Sequence, residues 1–292
     1  MISIAIPTYN YNVYPLVREI DKQVRKTGIE YEILVYDDAS THDFNLSDLL
    51  KDFEHVVYKK FFENKGRIAM RRHMASDAAY NYLLFMDADV FPSDRFFFVK
   101  LLKVMTQPAD VYFGGITVTD RCADLQKILR WKFGKYRESR SLQQRQKDVY
   151  NSVISGSLLI NKEVFLVDTE NFKDLKRYGL DSVFAYNLQQ NNRKVIHYHN
   201  PVVHLGLEKN AEFLRKTRRA LETYRFLTIR YGLHELNRIT RQARKLNQII
   251  PRFVWQAGFK VLSPLLLANL TGKRPSLFLF DIYKVLYYNR LK

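Results

Sequence analysis

The stretch Tyr82-Leu83-Leu84-Phe85-Met86-Asp87-Ala88-Asp89-Val90 decides how this chain is read. Its apolar beginning reads as a short buried strand, and two carboxylates one residue apart follow where that strand reaches the surface. A strand sends alternate residues to the same side. Asp87 and Asp89 are therefore expected to face one hard, oxygen-seeking divalent cation while Ala88 points away. The bland alternative is an acidic turn that caps a helix.

Working outward, Ser3 to Ile6 and Glu32 to Tyr36 read as short buried strands, and between them Val13, Leu16, Val17, Ile20 and Val24 recur at helical spacing. Val56 to Phe61 supplies a third strand, Gly66 to Ala79 a second helix and Tyr82 to Met86 a fourth strand. This alternation predicts an α/β fold with a doubly wound, mostly parallel sheet. Ligands of such sheets sit beyond the carboxyl ends of the strands, where Pro7, Asp37, Asp38 and Asp87 all fall. Pro7 is expected to end the first strand. Ser93 is expected to cap a Phe-rich helix running to about Met105. Val111 to Phe113, Ile116 to Val118, Val153 to Ile160 and Lys194 to Tyr198 read as further strands, and Asp181 to Gln190 as a helix. Thr119 to Asp148 loses its apolar rhythm and reads as a mobile surface segment over bound substrate.

The chain has 292 residues, of which 47% are hydrophobic, including 20 Phe and 19 Tyr, so a packed globule is expected and disorder is not. Cys122 is the only cysteine, which excludes an intrachain disulfide and a thiolate metal cage. Ile2 to Ile6 is too short for a secretory signal and lacks a basic leader, so a cytoplasmic place is expected. The apolar stretch Val261 to Leu270 contains Pro264 and falls short of the roughly 20 residues of a spanning helix. The net charge of +17 is uneven: from Leu207 onward there are 18 Lys and Arg against 5 Asp and Glu, and 29 against 25 before it. Two regions follow, a nearly neutral one at 1–206 and a basic, mainly helical extension at 207–292.

Several short pieces in the first region, taken in order, resemble the family 2 glycosyltransferases of the GT-A fold. They are Ser3-Ile4-Ala5-Ile6-Pro7-Thr8-Tyr9-Asn10, Val35-Tyr36-Asp37-Asp38-Ala39-Ser40, Asn64-Lys65-Gly66 with Arg71, and Met86-Asp87-Ala88-Asp89. Ser155-Gly156-Ser157, Tyr178-Gly179-Leu180-Asp181 and Val203-His204-Leu205-Gly206 complete the set. The resemblance implies a metal-dependent, inverting transfer from a nucleoside diphosphate sugar. It implies that Pro7, Thr8, Tyr9, Asp38, Asn64, Gly66, Arg71 and Asp87 line the donor, and that Gly156 lines the acceptor side. It further implies that Asp89 binds Mn²⁺ or Mg²⁺, with Asp87 on the ribose or the metal and His204 completing the shell. His197 and His199 are nearby alternatives to His204.

Chemistry supplies a reason beside the likeness. A carboxylate can take the proton of the attacking hydroxyl on the face opposite the departing diphosphate, and Asp181 is the candidate; its other reading is a helix N-cap. The family usually carries Glu-Asp there, whereas this chain has Leu180-Asp181, which concentrates the role on Asp181. Arg72 and Met74 stand where the family usually has Asn and Gly. A solvated helical face is the bland reading of Arg67, Arg71 and Arg72. Gln126 to Trp131 resembles the Gln-x-x-Arg-Trp signature of processive polysaccharide synthases, but it has one residue too many and precedes the base, so a single addition is expected.

In the extension, Phe213, Leu214, Leu221, Phe226 and Leu227 approximate a helical stripe, and His234 to Ile249 reads as a second helix. Beyond it aromatic residues interleave with Arg252, Lys260, Lys273, Arg274 and Lys284, a mixture suited to an anionic membrane surface. The alternative is that the aromatics pack inward and the charges are solvated. Together with the family resemblance, this implies a peripheral place on the inner face of a bacterial cell membrane and a glycan or lipid-linked glycan as acceptor, and no nucleic acid partner is expected. Two other functions stay open: a nucleotidyltransferase that makes the activated sugar, for which Thr8 to Asn12 lacks the glycine-rich loop, and a non-catalytic membrane or polyanion binder.

Overall fold

Strand and helix alternate along the first half of the chain as the apolar pattern predicts. In the computed structural model, which describes residues 1–291, the order begins β1 (Ile2–Thr8), α1 (Tyr14–Arg25), β2 (Tyr31–Asp37), α2 (Leu46–Leu50), β3 (Val56–Lys60), α3 (Arg67–Asp77) and β4 (Tyr82–Met86). There follow β5 (Val90–Pro92), α4 (Phe97–Met105), β6 (Val111–Phe113), β7 (Ile116–Val118), α5 (Ile128–Phe133), α6 (Leu142–Lys147), β8 (Ser157–Asn161), α7 (Lys162–Asp168) and α8 (Asp181–Gln190). The remainder is β9 (Val195–His197), β10 (Val202–His204), α9 (Asn210–Tyr231), α10 (Arg238–Leu246), α11 (Arg252–Thr271) and α12 (Leu277–Arg290).

The chain divides into two units. The first comprises Met1–Thr117, Ser139–Lys176 and Asn187–Gly206; the second comprises Val118–Glu138, Arg177–Tyr186 and the residues from Leu207 on. The first holds a seven-stranded sheet in the order β3-β2-β1-β4-β8-β6-β9, and a three-stranded sheet runs β5-β10-β7. Strands β3, β2, β1 and β4 are mutually parallel, whereas β8 is antiparallel to both β4 and β6. The chain moves outward from β1 to β3 and then returns to the other side of β1 as β4. The crevice at this reversal, beyond the carboxyl ends of β1 and β4, is where such sheets take ligands.

Alternation along the strands feeds two faces. Ile2, Ile4 and Ile6 of β1, Ile33 and Val35 of β2, and Leu84 and Met86 of β4 join Leu16, Val17, Ile20 and Val24 of α1 and Phe97, Phe98 and Leu101 of α4 in one core. Each such side chain contributes about 1.5–3 kcal/mol on burial, and Ile20→Ala alone costs about 2–5 kcal/mol. On the other face Phe85 meets Phe165 of α7 and Arg71 of α3, and Tyr36 meets His73 of α3. Helices therefore cover both faces. In the second unit Leu129, Leu214, Leu221, Trp255, Leu270, Phe280, Tyr283 and Tyr287 form a separate, aromatic-rich core.

Four sequence expectations are corrected. Pro7 does not end β1, which continues through Thr8 in register with Asp37. Ile2 N–H and Thr8 C=O both bond toward the β2 side, so position 7 faces β4, whose pairing with β1 stops at Ala5. A missing N–H therefore costs nothing there.

Ser93 caps no helix. α4 starts at Phe97, Ser93 N–H donates to Pro201 C=O, and Asp94 Oδ1 accepts from Phe96 N–H instead.

Thr119 to Asp148 is built of helical turns, with Ser141 and Gln144 forming a reciprocal capping box at α6. Its buried residues include Arg130 and Arg145, which a hydrophobic pattern does not register. Arg130 pairs with Glu138 and Glu208. Arg145 donates to the carbonyls of Phe113, Gly114 and Tyr198.

Finally, the apolar stretch at Val261 to Leu270 belongs to a helix that reaches back to Arg252. At 20 residues, α11 is long and apolar enough to cross a membrane by length and composition.

Candidate active site

Three strands deliver the site. β1 ends at Thr8, β2 at Asp37 and β4 at Met86, all on the carboxyl edge of the sheet. Asp38 N–H donates to Thr8 C=O at 2.9 Å, which holds the first two strand ends together. The loops beyond them are joined by Asn10, whose backbone sits at φ 52°. Its side-chain oxygen accepts from the N–H groups of Thr41 and His42 at 2.8 and 3.1 Å, and its own N–H donates to Ser40 Oγ at 2.8 Å. Thr8 is buried and donates its hydroxyl to Tyr11 C=O, so its side chain shapes the loop, while Tyr9 is exposed.

Asp38 is buried, and its carboxylate accepts from the backbone N–H groups of Lys65 and Gly66 at 2.6 and 3.0 Å. Asn64 donates its side-chain amide to Asp38 C=O. Gly66 adopts φ 83° just before α3, a conformation that suits glycine alone. This turn aims the first residues of α3 at the end of β4.

Arg67 and Arg71 lie one helical turn apart and therefore share a face. Both donate to Asp87, Arg67 to Oδ2 at 2.6 Å and Arg71 to Oδ1 at 2.5 Å. They also donate to Ser155, Arg67 to its hydroxyl and Arg71 to its carbonyl. Arg71 is buried and lies over the Phe85 ring, whereas 42% of the Arg67 side chain is exposed. Gly156 C=O accepts from Asp87 N–H at 2.8 Å. Arg72 turns away and holds α7 through Leu166 C=O, Thr169 and Glu170.

The two carboxylates of the opening stretch accept hydrogen bonds from different side chains, although the Arg67 charge acts on both. β4 stops at Met86, and Asp87 to Asp89 form a tight turn in which Val90 N–H reaches Asp87 C=O. Strand alternation does not apply within a turn. Asp87 goes to the arginines, and Asp89 goes to His204, whose Nε2 lies 3.1 Å from Oδ2. Burial pushes the Asp89 carboxyl up, but the His204 hydrogen bond and the charges of His204 and Arg67 outweigh it and hold the group below the usual carboxylate range. Tyr11 is raised by burial and by the Asp89 charge. Leu205 N–H donates to Asp89 C=O, and Gly206 packs against the side chain so closely that only glycine fits.

Of the three histidines considered, His204 meets the acidic turn. His197 is buried between Arg145 and Val149 C=O, and His199 is exposed.

Among the described residues no three His, Cys, Asp or Glu side chains gather into a ready metal cluster. Asp89 and His204 nevertheless present an oxygen and a nitrogen side by side. Such a pair fits a divalent cation that draws its other ligands from phosphate oxygens, as cations held by one or two protein groups do.

Asp181 belongs to the second unit, where it begins α8. Leu180 before it is buried, so the position that carries Glu in the resembling family is here a core position. Ser182 donates to Tyr224, whose phenol is raised by burial and by the nearby Asp181 charge. The motif at Gln126 to Trp131 is structural: Arg130 sits in its buried ion pairs and Trp131 donates to Thr119 C=O.

Sequence reading left Arg67 among a generic basic cluster and gave no role to Asn10, Tyr11 or Gly206. The spacing of Arg67 and Arg71 carried the first signal. The positions of the other three depend on chain that folds back from far away.

A doubly wound mixed sheet with its acidic turn at the strand reversal, followed by a mainly helical part, defines a GT-A-type protein. Residues 3–167 match Glycosyl transferase family 2, and the chain belongs to that family. A crystal structure of S. aureus TarS residues 1–349 is similar over 98% of this chain and 90% of that one, with a TM-score of 0.50 and 17% identity, a likeness of fold. The same fragment in complex with UDP-GlcNAc matches at a TM-score of 0.49 and 17% identity over 98% of this chain and 90% of that one. Chondroitin synthase of Escherichia coli is 30% identical over 96 residues, 32% of this chain. The chain spans about 14% of the length of that curated relative.

Proposed function

We propose that the chain transfers a sugar from a nucleoside diphosphate sugar to a hydroxyl of a glycan or lipid-linked glycan, with inversion and with a divalent cation. One observation carries the reading: Arg67, Arg71, Asp87, Asp89 and His204 gather where β4 leaves the sheet. Negative charge grows on a diphosphate as its bond to the anomeric carbon breaks, and planar guanidinium forks match its oxygens. Arg71, buried and tied to Asp87 and Ser155, is the fixed member. Arg67, at the solvent edge, is the one that meets incoming phosphate oxygens.

Asp89 and His204 would hold Mn²⁺ or Mg²⁺, which supplies positive charge to the departing diphosphate when bound. Pro7, Tyr9, Asp38, Asn64 and Gly66 line the nucleoside side, where Asp38 acts by fixing the turn before α3. Gly156 lies on the acceptor side. Asp181 takes the proton of the attacking hydroxyl.

A thermal-shift panel of UDP, GDP and dTDP sugars with and without Mn²⁺ tests the proposal, because a ligand selective for the native state raises apparent stability. The expected result is a rise with one nucleotide series, larger with Mn²⁺, and loss of the Mn²⁺ increment in Asp89→Asn. The absence of any shift with every donor at millimolar concentration overturns it.

A further inference from the structure

The second unit carries a surface that the transfer chemistry does not use. From Leu236 to Phe280 the sequence has eight Lys and Arg and no Asp or Glu. Within that span α11 turns one side inward, where Trp255, Leu266 and Leu270 are buried in the aromatic core with Tyr283 and Tyr287 of α12. Its other side is apolar and open: Phe253, Val261 and Leu265 are 70%, 69% and 72% exposed. At 3.6 residues per turn these three, with Val254, Ala257 and Pro264, fall on one face about 18 Å long. Only 17% of the apolar window of this helix is buried, and Ile249 before it and Phe278 after it are exposed as well. Exposed apolar surface on this scale marks an interaction site.

The charge around the stripe says what covers it. Exposed Arg244 and Lys245 of α10 precede it, Lys260 borders it, and exposed Lys273 and Arg274 follow it. A second copy of the chain would bring a like-charged surface against this one, whereas anionic headgroups complement it while acyl chains receive the stripe. α11 cannot be surrounded by lipid, because its inner side is already committed to α12. We propose that α10 and α11 seat the protein in the plane of an anionic phospholipid surface, with Phe253, Val261 and Leu265 inserted and the flanking Lys and Arg at headgroup level. The inference is independent of the transferase reading, since the two use different residues.

Flotation of the full chain with phosphatidylcholine vesicles, with and without about one third phosphatidylglycerol, tests it. Binding is expected to the anionic vesicles alone and to weaken with salt. The combined variant Phe253→Ser, Val261→Ser and Leu265→Ser changes only exposed positions and should lower the bound fraction at least tenfold with an unchanged thermal transition. A second variant, Lys273→Ala with Arg274→Ala, should weaken binding severalfold and flatten its salt dependence. The inference fails if the wild type does not float with anionic vesicles, or if the triple variant floats as the wild type does. It also fails if sedimentation velocity without lipid shows a dimer that the triple variant dissociates, or if vesicle-bound protein resists alkaline carbonate, the behaviour of a spanning helix.

Discussion

Gly206 stands so close to Asp89 that a β-carbon built on it would fall 2.2 Å from Oδ2 and 2.7 Å from Cγ. The residue two places after His204 thus sets where the carboxylate can lie. Gly206→Ala should push Asp89 out of its contact with His204. A displacement of about 1 Å at a reacting centre costs on the order of 10²-fold, and kcat/KM should fall by that order. The overpacking itself should cost about 1–3 kcal/mol in urea unfolding. An alanine variant with wild-type turnover would show that the position of Asp89 does not matter.

Arg67 and Arg71 bond the same carboxylate from different environments, so their removal should have different signatures. Arg71→Ala strips a buried partner from Asp87 and should destabilise the fold by about 3 kcal/mol. Arg67→Ala breaks a more exposed pair worth about 0–1 kcal/mol and should leave the unfolding midpoint nearly unchanged while raising the KM for donor. Denaturant curves and donor titrations on the two variants separate these outcomes. Equal effects on stability would remove the distinction.

Asp181→Asn should lower kcat by about 10²–10⁴-fold, the usual worth of a positioned base, while donor-dependent thermal stabilisation persists. Nuclear magnetic resonance of the product made by the wild type should show the anomeric configuration opposite to that of the donor. A retained configuration, or an unaffected kcat in the variant, would remove Asp181 from its role.

The second unit should respond to acid through Glu208. Burial raises this carboxyl, but the Lys216 hydrogen bond and the charges of Lys216 and Arg130 outweigh it and hold the group below its ordinary value of 4.5. A carboxylate whose folded pKa is depressed adds stability that is fully present above the unfolded value and lost as pH falls through the folded one. Glu208→Gln should therefore be less stable than the wild type at neutral pH, and the gap should narrow once pH falls below about 4.5 and close as it passes through the folded pKa. A gap that stays constant from pH 7 to pH 3 would exclude this coupling.

The scaffold was legible because β1, β2 and β4 are short apolar runs and a clean helical stripe at Leu16, Val17 and Ile20 separates the first two. The strand reversal beside β1 then places Asp38 and Asp87 on one edge, as the pattern implies. The division of labour between Asp87 and Asp89 was not legible. It depends on a turn where a strand was expected, on arginines 16 and 20 residues upstream, and on a histidine 115 residues downstream. The helical turns around Arg130 and Arg145 escaped for another reason: a buried guanidinium satisfied by carboxylates or carbonyls looks polar in the sequence and behaves as core in the fold. α11 escaped because its apolar character starts before Pro264 and is interrupted by Gln256 and Lys260.

Asn10 has a consequence for whatever settles on the sheet edge. With one amide oxygen gripping the backbone of Thr41 and His42, two loops from different strands behave as a single rim. A visitor meets furniture already in place. The ordering that would otherwise subtract from its affinity was completed when the chain folded, so discrimination between visitors rests on fit and not on how much loop each can recruit.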